Sequence, residues 1–100
     1  MAVRLGDAPK TIDHIVTFKG TGQRLKFKVS FRNFTSSQFQ ALVASEISLG
    51  NLLVELIVSW DAEVALTAQG FADLEDHYPG ICAGFLEAWH DARRVAIDLN

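Results

Sequence analysis

Three side chains toward the end of this 100-residue sequence, His77, Cys82 and His90, are of the kinds that hold zinc, since imidazole nitrogen and thiolate sulfur are its preferred donors. Their spacing argues against a site. There is no Cys-x-x-Cys and no His-Glu-x-x-His, only three donors are on offer, and Cys82 falls one turn inside an expected helix. A small buried thiol and two surface histidines are expected instead. Asp73, Glu75 and Asp76 lie beside His77, and carboxylates at i, i+3 share a helix face on which acid and base can work together. Catalysis also needs a cleft, an oxyanion donor and a positioned nucleophile, none of which is recognisable, so a solvated helix face is expected. Cys82 has no basic neighbour to turn it into a nucleophile. The sequence therefore predicts no catalytic residue, no cofactor and no metal.

Charge chemistry is more visible. Arg24, Lys26, Lys28 and Arg32 form a basic row with the period of a strand, a feature that attracts phosphate. Single-strand binders set aromatics on the same face as the charge, whereas alternation sends Phe27 and Phe31 to the opposite face. The net charge of −3 also works against nucleic acid. Residues 1 to 50 carry +4 and residues 51 to 100 carry −7, an asymmetry that can steer head-to-tail association, although solvated faces of opposite sign are common without that role. Gly20-Thr21-Gly22 lacks a Gly-Lys-Ser/Thr ending and a following helix, so it is a turn and no phosphate loop.

The elements that must position these residues follow from periodicity. An apolar fraction of 49% and a charged fraction of 21% describe an ordinary globular chain, and its length suits one domain with one core over residues 1 to 100. Residues 1 to 10 show no periodicity and read as a flexible N-terminal arm that frays or docks on a neighbour. Ile12, His14, Val16 and Phe18 alternate with Asp13, Ile15 and Thr17 as a half-buried strand. A four-residue loop, Gly20 to Gln23, leads to a second strand with Leu25, Phe27, Val29 and Phe31 on its apolar face, so residues 12 to 32 form a β-hairpin. A lone hairpin is marginal in water, which requires its apolar face to meet the helices or strands of another subunit.

Residues 35 to 97 read as helical. Thr35 with Gln38 forms a capping box, flanked by a Phe34–Phe39 staple, and starts a helix running to about Ser48, with Gly50-Asn51 as its stop. Leu53, Leu56, Ile57 and Trp60 lie at helical spacing, so a helix is preferred from Leu52 to Trp60. The same-parity series Leu52, Val54, Leu56, Val58, Trp60 keeps a buried strand open. Thr67 caps a third helix holding Phe71 and Leu74, and Pro79 opens a last one with Ile81, Phe85, Trp89, Ala92 and Ala96 on one side. Gly84 within that helix implies close approach of a neighbouring element. The predicted class is α+β, an N-terminal β-hairpin packed on three to four short α-helices. The longest apolar run is broken by Glu55 and falls short of the roughly 20 residues a membrane helix needs, and the single cysteine and absence of a secretory pattern point to a cytoplasmic setting.

Taken in order, the basic hairpin running into FRNFTSSQFQAL, then LLVELIVSWDAEVALT, then FADLEDHYPGICAGFLEAWHDA resembles a small tail assembly chaperone of long-tailed bacteriophages or prophages, over about residues 12 to 95. The resemblance implies a non-enzymatic protein of the bacterial host cytoplasm. Many copies would bind the long, mostly helical tape-measure protein, shield its apolar stretches and leave as tail-tube subunits polymerise. It also implies a tape-measure partner, possible contact with the tail-tube protein, and self-association; a longer frameshifted product is common in such families. The expected mode is recognition of a helix in an apolar groove, with Trp60, Tyr78 or Trp89 as exposed anchors and Lys26, Lys28 and Arg32 giving orientation. Such aromatics more often serve a core, and that alternative stays open. Two other functions remain: a small nucleic-acid-associated regulator using the basic hairpin face, and a structural tail or head-tail joining component.

Overall fold

Alternating apolar and polar residues from Thr11 to Arg32 fold as an antiparallel hairpin in the computed structural model, which describes residues 3–98. Strand β1, Thr11–Gly20, pairs with β2, Gln23–Arg32, along its full length, from Thr11↔Arg32 to Gly20↔Gln23. The turn is therefore two residues, Thr21-Gly22, and not the expected four. Both adopt positive φ, 54° and 76°, which is the backbone that matches the twist of paired strands. Phe27, Val29 and Phe31 are buried on one face while Lys26 and Lys28 are exposed on the other, as the alternation requires. Of the N-terminal arm, residues 1 and 2 lie outside the described residues. Leu5–Asp7 forms an exposed 3-10 turn, and Asn33 anchors the arm's end by donating from its main-chain nitrogen to the Lys10 carbonyl and from Nδ2 to that of Pro9.

Helix α1, Ser36–Ala44, has the capping box in full: the Thr35 hydroxyl accepts from the Gln38 N–H, and the Gln38 side chain accepts from the Thr35 N–H. It stops before the expected Ser48, because Glu46 takes a left-handed φ of 60°. Ser48 then caps the next helix through the Asn51 N–H, so Gly50-Asn51, expected as a stop, lies inside a first turn.

The preferred helix from Leu52 to Trp60 is corrected by the structure. Helix α2, Leu49–Leu56, passes directly into strand β3, Ile57–Trp60, which pairs antiparallel with β2 at Val29↔Trp60, Ser30↔Ser59 and Phe31↔Ile57. Val58 is the extra residue of a bulge at Ser30/Phe31. Both periodicities in the segment were real. The helical one buries Leu52, Leu53 and Leu56, and the switch then lets Ile57 and Trp60 face the core while their main chain satisfies the second edge of β2. The result is a three-stranded antiparallel sheet in the order β1-β2-β3.

Helix α3, Ala68–His77, starts at Thr67 as expected, its hydroxyl accepting from the Gly70 N–H at 3.1 Å. Helix α4, Ile81–Arg93, begins two residues after Pro79 and ends before Ala96. Ala92 is the last of its stripe to reach the core, and Val95 and Ile97 beyond it are exposed, so further turns would bury nothing. A Cβ on Gly84 would overlap the Phe18 ring of β1, the close approach its position in the sequence implied. The fold is α+β, with the sheet's apolar face covered by helices and one cluster of buried residues between the layers. At its centre the rings of Phe18, Phe27, Trp60 and Phe71 surround Phe85 at 5.0–6.0 Å. Large side chains of this kind each contribute roughly 1.5–3 kcal/mol on burial.

Candidate protein-interaction surface

The residues expected to meet a partner divide into three environments. Lys26 and Lys28 stand exposed on the open face of the sheet with Arg24, opposite Thr17, Ile15 and Lys19 of β1. Ile15 and Val58, both about half exposed, set apolar side chains among these charges, so the face is mixed rather than purely basic. Arg32 is drawn away from this row. Its Nη1 donates to the Glu55 carbonyl at 3.0 Å and lies 3.9 Å from the Glu55 carboxylate, while the guanidinium sits 5.7 Å from the Phe34 ring centre. These contacts tie the end of β2 to α2 and occupy the side chain expected to orient a partner.

Trp89 cannot serve as an exposed anchor: it is 0% exposed. It falls on the inner stripe of α4, stacks on Phe39 of α1 at 4.7 Å, lies under the Arg93 guanidinium at 4.9 Å, and donates its indole N–H to the Arg32 carbonyl at 2.9 Å. The ring thus holds α1, α4 and the end of β2 together, which is why its polar atom points inward. Arg93 extends the same joint, donating from Nε to the Asn33 side-chain oxygen at 2.9 Å. Trp60 is half-buried and packs against Phe71 at 4.8 Å, so it too belongs to the core.

Tyr78 retains an accessible face. Proline at the next position keeps it out of helical geometry, at φ −132° and ψ 79°, and the ring leans toward the hairpin, where its hydroxyl accepts from Gln23 Nε2 at 3.3 Å. A hollow lies on each side of it. The larger, about 480 Å³, is lined by Leu25 and Phe27 of β2, Ala62 and Val64 of the loop after β3, and Leu74 and His77 of α3, with Glu63 and Asp73 alongside. The smaller, about 150 Å³, lies between the hairpin turn and Pro79-Gly80-Ile81.

The residues first considered for chemistry have other partners. Cys82 is buried, its thiol donates to the Phe71 carbonyl at 3.5 Å, and burial, then the nearby Glu75 charge, push its pKa up to about 11, away from thiolate. His77 Nδ1 lies 2.9 Å from the Asp73 carbonyl, and His90 sits edge-on to Phe39 and Trp89. Among the described residues, no three of His, Cys, Asp and Glu converge to hold a metal ion.

Glu75 is the residue whose role the sequence reading missed. Gly80, at φ 94°, begins α4 without a capping side chain, and the Glu75 carboxylate reaches across to accept from the Gly80 N–H at 2.6 Å and the Cys82 N–H at 3.1 Å. Those two bonds hold its carboxyl below the ordinary carboxylate range. A helix opening on Pro-Gly, with no Ser, Thr, Asp or Asn at its cap, was the available signal.

The class this defines is a small α+β body with an open mixed sheet face and an apolar hollow at the joint of hairpin and helices. No protein-family model, curated protein or solved structure matches the chain. Among the described residues no helix is long and apolar enough to cross a membrane.

Proposed function

We propose that this chain is a non-catalytic tail assembly chaperone of a long-tailed phage or prophage, acting in the host cytoplasm by binding apolar stretches of the tape-measure protein. The observation that carries the reading is the hollow beside Tyr78. It is lined mainly by apolar side chains from β2, α3 and the intervening loop, and suits the side chains on one face of a helical segment. Glu63 and Asp73 at this hollow favour a segment flanked by basic residues. Each such contact is weak alone, and many copies along one long helix gain through multiplicity.

The test begins with the gene neighbourhood, where a tail-tube gene before and a gene for an exceptionally long helical protein after are expected. Co-expression should then keep that long protein soluble and copurify with it, and Tyr78→Ala with Val64→Asp should abolish copurification while leaving the circular dichroism spectrum unchanged. Retention of the chain in finished particles would favour a structural joining component instead. Salt-sensitive oligonucleotide binding lost on Lys26→Glu with Lys28→Glu would favour the regulator.

A further inference from the structure

Strand β1 is ten residues long, contains no proline or bulge, and is the outer strand of the sheet. Its pairing phase is fixed by the two-residue turn, which makes Gly20↔Gln23 a hydrogen-bonded pair, and by Lys28, whose N–H and carbonyl both engage Asp61 on the side away from β1. Thr11, Asp13, Ile15, Thr17 and Lys19 consequently turn their main-chain N–H and C=O groups to the open edge, a template that proteins normally shorten, kink or cover. The inner face of β1 is incompletely covered away from the buried Val16: Ile12 and His14 are only half-buried where their β2 partners Phe31 and Val29 are buried, and Phe18 is half-buried as well.

We propose that this edge pairs with the same edge of a second copy, antiparallel about a two-fold axis, to give a continuous six-stranded sheet. Charge selects the register. Alignments that set Asp13 against Asp13 or Lys19 against Lys19 bring like charges face to face, whereas setting Asp13 opposite Lys19 of the second copy makes two symmetric opposite-charge pairs. In that register Ile15 lies opposite Thr17, about eight main-chain hydrogen bonds form, and on the inner face Val16 meets its own counterpart at the axis while His14 covers Phe18. The exposed Ile15 and the half-buried inner rim are thereby removed from water together.

Sedimentation equilibrium of the unmodified protein is expected to show a dimer. Asp13→Lys alone leaves four lysines at the seam and Lys19→Asp alone leaves four aspartates, so each should weaken dimerisation about 10- to 30-fold. Mixing the two variants restores opposite pairs and should give a heterodimer, and the double variant Asp13→Lys with Lys19→Asp should again form a homodimer. Circular dichroism checks that each variant is folded. A monomeric unmodified protein, or a dimer indifferent to both reversals, or a mixture that forms no heterodimer, overturns the proposal. Because no helical partner enters this assay, its failure is separate from failure of the chaperone reading.

Discussion

Replacing Trp89 with Phe tests whether this ring is a structural joint. The substitution removes the indole N–H that donates to the Arg32 carbonyl at 2.9 Å and takes volume from a site with 0% exposure between Phe39 and Arg93. The Arg32 carbonyl keeps a second donor, the Phe34 N–H at 3.0 Å, so losing the indole bond costs the net worth of one hydrogen bond, about 0.5–1.5 kcal/mol. The space vacated by the smaller ring adds about 1 kcal/mol, since so many elements meet there that the gap closes only in part. The expected loss is therefore about 1.5–2.5 kcal/mol, a sizeable share of the roughly 5–15 kcal/mol that holds a domain of this size together. Urea unfolding followed by far-ultraviolet circular dichroism, which does not depend on the tryptophan signal, measures it, and at about 4–8 °C per kcal/mol the melting temperature should fall by roughly 6–20 °C. Trp60→Phe is the internal control, because Trp60 is half-buried and its loss should cost only about 1 kcal/mol. If Trp89→Phe is no more destabilising than Trp60→Phe, the reasoning that removed Trp89 from the binding surface is wrong.

Three further outcomes follow from local geometry. Glu75 has its carboxyl lowered in the folded state by the Gly80 and Cys82 N–H groups, so its contribution is complete above the ordinary value of 4.5 and fades as pH falls through the folded value. Glu75→Gln should flatten the acid side of the stability profile, and parallel profiles would mean that the carboxylate does not cap α4. Cys82, raised from 9.0 to about 11, should resist a thiol reagent at pH 8 until denaturant is added, and folded stability should decline as pH rises from about 9 through about 11; rapid native-state labelling would contradict the burial. Thr21→Asn should raise stability by about 0.5–1 kcal/mol in the same urea assay, because a β-branched residue at φ 54° is replaced by one that tolerates that region; a destabilised variant would argue against the two-residue turn.

The hairpin was legible because each strand carries a strict two-residue period over enough positions to leave one solution, and the capping box at Thr35 and the N-cap at Thr67 because their donors and acceptors are local. The stretch from Leu52 to Trp60 was not, since it satisfies both periods and only the unpaired edge of β2 decides where one yields to the other. Helix ends were misplaced for a similar reason: Glu46 adopts a left-handed backbone without a glycine to announce it, and α4 stops where apolar surface runs out. For the interaction surface, the alternation located Lys26 and Lys28 on the wet face, but nothing local separates Trp89, with its N–H turned inward, from Tyr78, with its ring beside a hollow. The capping of α4 by Glu75 needed knowledge of how α3 and α4 meet.

The seam between Leu56 and Ile57 contains no connecting residue at all, so α2 and β3 share one continuous stretch of backbone without slack. One extra amino acid inserted there would rotate the preceding helix by about 100° relative to its bed, or else invert every side chain of the following strand. Drift of length is therefore far less tolerable at this point than at the Ala62–Leu66 loop a few positions later, and any torque applied to the helix is felt immediately at the sheet's far margin.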